Sequence, residues 1–325
     1  MVRCRLGSDL LSYLASGSWV SGEVIASNLG VSRAAVWKQV QALRTKGYQI
    51  QSSTNKGYRL GANQDVLDPE MILKGLETDF VGKDLRYFRE VSSTNETARE
   101  IAANCENGTV VLAEVQTKGR GRLSRPWHSP TGGIWISIVL KPEIPLAQAY
   151  RINMAVSVAI ARAMLRLYGI KAGIKWPNDL LVNDRKLCGV LMEVSAETDR
   201  LEYAVVGIGI NANVDENSFP SDWNATSLSR EMGSQVSRTK LIQTLLMEIE
   251  KAYKQMGELD TYLDWRDRSV TLGRHVRVTS SDGDLEGQAV YLSEDGALGI
   301  ELAGEHGEIR RVVAGDCVHL RALLS

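Results

Sequence analysis

The sequence predicts an α+β multidomain protein: an N-terminal winged helix-turn-helix, a central mixed α/β domain and a small C-terminal SH3-like β-barrel. Three observations predict it. Residues 1–64 carry short helical stripes closed by glycines and then two short strands. Residues 65–270 mix apolar runs with amphipathic stretches, strands outnumber helices, and hairpin-like links dominate, as in an α+β domain with a mixed or antiparallel sheet. Residues 271–325 hold short strands separated by turns such as Ser281-Asp-Gly-Asp284 and Glu294-Asp-Gly296. A chain of 325 residues, 44% hydrophobic and 24% charged, is of ordinary globular composition and long enough for two or three domains.

The net charge of −1 hides an asymmetry. Residues 1–64 contain eight lysines and arginines against Asp9 and Glu23, a net +6, so the remainder carries −7. A basic end on an acidic body points to a polyanionic partner for that end. Cys4, Cys105, Cys188 and Cys317 are far apart, as are the four histidines, which indicates neither a disulfide framework nor a metal site and suits a reducing cytoplasm. Asp9 interrupts the apolar start, so no signal peptide is expected, and no apolar run reaches the roughly twenty residues of a membrane helix.

Within the first domain, Leu10, Leu11 and Leu14 stripe a short helix from Asp9 to Ala15. Gly22–Leu29 reads as a second helix stopped by Gly30, with the small Ala26 where two helices would cross. Ser32 can cap a third helix, 33–43, with Val36, Val40 and Leu43 on its buried side. Ser32, Arg33, Ala34, Trp37, Lys38 and Gln41 would then lie at the groove-facing side. Tyr48–Ile50 and Tyr58–Leu60 read as the strands of a wing, with Lys56 in its loop. The alternative is a three-helix protein-interaction module, but the +6 charge and basic wing favour DNA, with Lys38, Lys46 and Lys56 on phosphates.

Asp65-Val-Leu-Asp-Pro69 is read as the linker into the second domain, with Pro69 also the first residue of a helix. A strand, 85–90, leads to Val91-Ser-Ser-Thr-Asn-Glu-Thr97, where Ser93 and Glu96 have capping-box spacing ahead of a helix over 94–104. Between apolar runs at 109–115 and 134–140 lies Val115-Gln-Thr-Lys-Gly-Arg-Gly-Arg-Leu-Ser-Arg-Pro-Trp127. Lys118, Arg120, Arg122 and Arg125 share this segment with no acid, and Gly119 and Gly121 let its backbone turn tightly and approach a ligand. A loop of this kind between core strands can hold a phosphate. It is neither a P-loop nor a dinucleotide fingerprint, and an exposed basic turn would read the same way.

Further on, 150–168 is a long apolar helix, and Ile174-Lys-Trp-Pro-Asn-Asp-Leu-Leu-Val182 is a strand, a proline-fixed corner and a strand. Lys186-Leu-Cys-Gly189 opens another strand. Tyr203–Asn211 is a buried strand whose Gly207 and Gly209 are positions where something packs on bare backbone. An amphipathic helix covers 239–256. In the C-terminal module, strands are expected at 276–278, 285–291, 298–302, 309–313 and 318–320, and nothing there reads as catalytic.

Taken in order, Ser92-Ser-Thr-Asn95, Gln116 with Gly119-Arg-Gly-Arg122, Trp127 with Ser129-Pro130, Lys175-Trp-Pro-Asn-Asp179, Arg185-Lys-Leu-Cys-Gly189 and Gly207-Ile-Gly-Ile-Asn211 resemble the biotin protein ligases of the bifunctional ligase/repressor (BirA) type. The resemblance spans the chain and makes the central region, 65–270, a ligase domain of the biotin/lipoate protein ligase kind. It departs at Leu123-Ser-Arg-Pro126, where the family commonly has glycine at 124 and no proline at 126, which bears on loop closure rather than on reaction type.

The resemblance implies that biotin and ATP form biotinyl-5′-adenylate, and that the acyl group then passes to a lysine of a biotin carboxyl carrier protein. It implies biotin contacts from Ser93, Thr94, Asn95, Gln116, Gly119, Arg120, Gly121, Arg122, Lys186 and Gly189. Adenylate contacts would come from Arg120, Arg122, Trp127, Asn178, Lys186 and Asn211. Arg122, Lys186 and Asp179 are the expected catalytic groups, with Asp179 as a base for the incoming lysine. Mg²⁺ is expected on the substrate phosphates rather than on protein ligands. The resemblance also implies repression of biotin genes through operator DNA, with a homodimer promoted by the adenylate. A lipoate–protein ligase, a ligase without DNA binding and a non-enzymatic sensing repressor remain the alternatives.

Overall fold

The computed structural model describes residues 9–61, 65–220, 223–280, 283–302 and 307–320. Two compact units result: one runs to Leu76 and includes Gln235–Gln243, and the other holds Glu77–Ser234 and the chain from Thr244 onward.

In the first unit, helix α1 (9–14) is followed by α2 (Gly22–Leu29) and α3 (Arg33–Thr45). Ser21 and Ser32 cap α2 and α3 through the amides of Glu23 and Ala35, and Gly30 takes a left-handed φ of 65° to end α2. Leu10, Leu14, Ile25, Ala26, Val36, Val40 and Leu43 form the core, so the helical periodicity is the packing face. The wing pairs β1 (Ile50–Ser53) with β2 (Gly57–Leu60), and Val20 bridges Tyr58 as a third, minimal strand. The first wing strand thus starts at Ile50 rather than at Tyr48. Tyr48 instead turns its ring into the core and its hydroxyl to Asp68, 3.4 Å away. Arg44 donates to the Ile50 carbonyl and the Ser52 hydroxyl, tying α3 to the wing.

The unit extends past the expected boundary at residue 64. Asp68 caps α4 (Pro69–Lys74) and accepts from Lys46 at 3.1 Å, and Arg238 donates to Asp65 at 2.7 Å. Val66 and Met71 pack on the same core. Asp65–Pro69 therefore belongs to the first unit, which runs to Leu76, instead of forming a linker.

The second unit is built on a seven-stranded sheet of order β3-β4-β5-β9-β8-β7-β6. Its members are β3 (Leu85–Val91), β4 (Val110–Gln116), β5 (Ile134–Leu140), β6 (Gly173–Lys175), β7 (Asp179–Val182), β8 (Arg185–Glu197) and β9 (Arg200–Ile210). Only β3 and β4 run parallel, so the sheet is mixed. All of β5 is buried, which explains why it reads as an apolar run, interrupted only by Ser137, rather than an alternating one. Helix α5 (Thr94–Ile101), with a 3₁₀ turn over Ala102–Asn104, packs Ala98 and Ala102 on Val111, Val139 and Val205. Helix α6 (Tyr150–Tyr168) ends at Gly169, where φ is 67°.

Helices α7 (Leu228–Met232), α8 (Arg238–Lys254) and α9 (Leu259–Asp267) follow, and neither α7 nor α9 was expected from the sequence. On α8, Glu250 accepts the backbone N–H groups of Asp79, Phe80 and Val81 at 2.8–3.0 Å. The C-terminal strands are β10 (His275–Ser280), β11 (Gly283–Leu292), β12 (Leu298–Leu302), β13 (Ile309–Val312) and β14 (Asp316–His319). They form an antiparallel sheet of order β13-β12-β11-β10-β14. The sheet lies within the second compact unit, and Ile174 exchanges backbone hydrogen bonds with Arg268 and Val270 in the chain leading into β10. Among the described residues no helix is long and apolar enough to cross a membrane.

Candidate active site

A cavity of about 550 Å³ opens over β8 and β9. Its floor exists because side chains are missing there. Gly189 and Gly209 face each other across the β8–β9 ladder; a Cβ on Gly209 would run into the Trp127 indole, and one on Gly189 would press against it at 3.2 Å. A Cβ at Gly207 would collide with the Asn95 carboxamide. The glycines are therefore the seats of Trp127 and Asn95, as the sequence suggested for Gly207 and Gly209.

At one end sit the buried Ser93, Thr94 and Asn95 at the start of α5. The expected capping box does not form: Ser93 makes no side-chain cap, and Glu96 accepts from Ser92 at 2.7 Å instead. The Thr94 amide and hydroxyl both donate to Gln116 Oε1, at 2.8 and 3.0 Å. Gln116 Nε2 passes on to Ser129. Asn95 donates to Glu193 at 2.8 Å, and Ser137, fully buried on β5, lies 2.7 Å from Asn95 Oδ1 and 2.8 Å from Thr94 Oγ1. Buried hydroxyls and amides fixed by one another suit a small ligand with its own donors and acceptors.

The basic loop folds back over this end as a hairpin. Trp127 donates its amide to Gly119, Gly121 donates to Arg125, and Gln116 pairs with Ser129. Gly119 lies where the loop crosses itself, against the Trp127 carbonyl, and is not on the cavity wall. Leu123 and Ser124 have φ of 53° and 56°, so the serine at the departure from the family pattern holds a conformation that glycine takes freely. Ser124→Gly is expected to raise stability by about 0.5 kcal/mol, the relief of strain being partly offset by a freer unfolded chain. Thermal unfolding of the two proteins reads this.

Arg120, Arg122, Arg125, Lys175 and Lys186 line the cavity against two carboxylates, Asp179 and Asp316. Lys186 Nζ is 2.8 Å from Asp179 and 5.0 Å from the centre of the Trp127 ring. Arg122 reaches Asn178 at 3.4 Å, and burial lowers its pKa from the usual guanidinium value. Arg120 turns to Glu96 at 3.7 Å, and Arg125 to Asp316 at 2.6 Å. Cys188 is fully buried and its thiol is pushed up by burial, which fits an inert core residue.

The structure thus gathers Ser93, Thr94, Asn95, Gln116, Arg120, Gly121, Arg122, Trp127, Asn178, Asp179, Lys186 and Gly189 around one cavity. Asn211 is not on its wall. It is buried, and its Nδ2 donates to the Thr226 carbonyl at 3.0 Å, pinning the chain just after Trp223–Ala225, which do line the cavity. Trp223–Ala225 were not legible as site residues. The C-terminal module, in which nothing reads as catalytic, nonetheless contributes Asp316–Val318 at the start of β14 to the cavity wall. Among the described residues there is no cluster of three His, Cys, Asp or Glu side chains able to hold a metal.

A floor with two facing glycines, a buried polar end and a wall of cations suit a small polar ligand that carries anionic groups. Residues 87–211 match the biotin/lipoate A/B protein ligase family, residues 8–59 a helix-turn-helix domain, and residues 271–320 the biotin protein ligase C-terminal domain. The chain is 38% identical to the bifunctional ligase/repressor BirA of Bacillus subtilis, over 92% of this chain and 95% of that one. Identity to the Escherichia coli BirA is 31%, over 91% and 92%. The biotin protein ligase of Aquifex aeolicus, solved with biotin and ATP, superposes with a TM-score of 0.64 at 30% identity, covering 73% of this chain and all of that one. The chain belongs to the bifunctional biotin protein ligase/repressor family.

Proposed function

We propose that the protein adenylates biotin with ATP, transfers the biotinyl group to a lysine of a biotin carboxyl carrier protein, and represses biotin genes when its adenylate is bound. The observation that carries this reading is one cavity with a buried polar end at Ser93–Asn95 and Gln116 and a cationic wall at Arg120, Arg122 and Lys186. Biotin's polar head meets the first, and its carboxylate and the α-phosphate meet the second. Attack of the carboxylate on that phosphorus brings several negative charges together, and the fixed cations offset them as they converge. Pyrophosphate leaves, and the acceptor lysine then displaces AMP from the acyl carbon.

Lys186, resting on Trp127 and held by Asp179, contacts the acyl-phosphate oxygens. Asp179, released from Lys186 by the incoming anion, takes the proton of the acceptor amine. Trp127 and Asn178 border the nucleotide, and Asn211 acts there by fixing the chain beside Trp223–Ala225. Mg²⁺ bound with ATP would be held chiefly by the phosphates, with Asp179 and Asp316 the carboxylates near enough to assist, and would supply screening of the phosphate charge. The adenylate orders the basic loop and promotes a homodimer that pairs two operator half-sites in the cytoplasm. Biotin-dependent ATP–pyrophosphate exchange, run in parallel with lipoate, tests the enzyme reading. Exchange with biotin alone is expected, and folded protein that exchanges with neither acid would overturn it.

On the DNA side, Arg33, Ala34, Trp37 and Lys38 are exposed along α3 and Lys56 is exposed on the wing. Ser32 caps the helix that carries them, and Gln41 is half-buried one turn on. Lys38→Ala and Lys56→Ala are each expected to weaken duplex binding about equally for all sequences and to reduce the slope of log K against log salt by about 1. Titrations at several salt concentrations measure it; an unchanged slope in both variants would remove these lysines from the interface.

A further inference from the structure

Lys175, Asn178 and Asp179 reach the cavity from the corner between β6 and β7, yet what holds that corner lies outside the ligase sheet. Strand β6 ends at Lys175, so the Trp176 amide leaves the β6–β7 ladder. It donates to Thr271 Oγ1 at 2.9 Å, and Thr271 is fully buried. The same hydroxyl lies 3.1 Å from His319 Nε2 on β14. With the imidazole proton on Nδ1, Thr271 accepts from Trp176 and donates to His319, satisfying all three groups. Burial, with Lys175 and Arg274 nearby, lowers the His319 pKa to about 4, so the neutral ring this requires is present at pH 7. The Trp176 indole donates to the Gly296 carbonyl at 2.9 Å, and Ile174 exchanges backbone hydrogen bonds with Arg268 and Val270.

We propose that Thr271 and His319 are positioning residues for adenylate formation: they fix the Trp176 backbone and thereby hold Asn178 and Asp179 against Arg122 and Lys186. The inference rests on the adenylating function proposed above. Its physical basis is the short lever between Trp176 and the two side chains that touch the cations. A shift of a fraction of an ångström at the amide loosens the 2.8 Å Asp179–Lys186 contact and lengthens the 3.4 Å one from Arg122 to Asn178. The biotin end is built from α5 and β4, so it does not depend on this corner.

Thr271→Val, Thr271→Ser and His319→Leu in the full chain test it through three readouts: pyrophosphate exchange, direct biotin binding, and hydrogen exchange at the Trp176 amide. Thr271→Val is expected to lower kcat about tenfold with KM for biotin within about twofold, and to speed Trp176 amide exchange about tenfold. Thr271→Ser restores both, and His319→Leu moves both in the same direction by less. Wild-type kcat in folded Thr271→Val overturns the inference. So does a loss of kcat and biotin affinity in step with thermal stability that serine does not rescue. If Thr271→Val does not fold, the same two criteria apply to His319→Leu. Wild-type protein without any exchange would instead overturn the adenylating function itself.

Discussion

Lys186→Ala is expected to lower biotin-dependent pyrophosphate exchange by about 10³-fold in kcat, leaving direct biotin binding within about tenfold. Lys186 Nζ is held at 2.8 Å by Asp179 and lies over the Trp127 ring, a geometry that points one ammonium at the middle of the cationic wall. Negative charge converges there only during phosphoryl attack, so its loss weighs on the transition state more than on the bound acid. Lys186→Arg keeps the charge but cannot reproduce a single compact ammonium beside Asp179, and is expected to recover only part of the rate. Equal losses in kcat and in biotin affinity would assign Lys186 to ground-state binding instead.

Glu250→Ala is expected to destabilise the second unit by about 3 kcal/mol without changing the composition of the active site. The Glu250 carboxylate accepts three consecutive backbone N–H groups, from Asp79, Phe80 and Val81, and pairs with Lys254 at 3.0 Å. Removing it leaves those donors without their acceptor. Burial opposes its charge, but the amides of Phe80, Asp79 and Val81 and then Lys254 hold its pKa down to about 2, against an ordinary 4.5. A depressed carboxylate pKa contributes stability that is fully present above about pH 4.5 and is lost as pH falls through about 2. Denaturant unfolding of wild type and Glu250→Ala between pH 7 and pH 2 reads this: the two curves should converge toward the acid end. A constant gap would mean that lost packing, not the charge, carries the effect.

The elements were legible wherever a local pattern and the packing face coincide. Val36, Val40 and Leu43 recur at helical spacing because α3 buries that face, and Gly30 marks a left-handed stop. The run at β5 is apolar except for the hydrogen-bonded Ser137, because both faces of that strand are covered. Local chemistry misled where a long-range partner outcompeted a near one. Ser93 and Glu96 have capping-box spacing, but Ser93 makes no side-chain cap and lines the cavity, Glu96 accepts from Ser92, and Gln116, from β4, takes the Thr94 amide. Helix α9 carries only two buried residues, Thr261 and Trp265, too few for a periodic signal.

The sequence by itself determined the order of the domains, the cationic loop and the glycines on which Trp127 and Asn95 rest, because each depends on residue type or on near-neighbour spacing. It also carried the family resemblance through six short motifs. Only the tertiary structure decided that Asp68 belongs to the first unit, that β14 brings Asp316 to Arg125, and that Asn211 stands behind the cavity. Those outcomes rest on contacts between residues far apart in the chain, where a buried donor takes whichever acceptor the packed sheet delivers, and no local spacing records that choice.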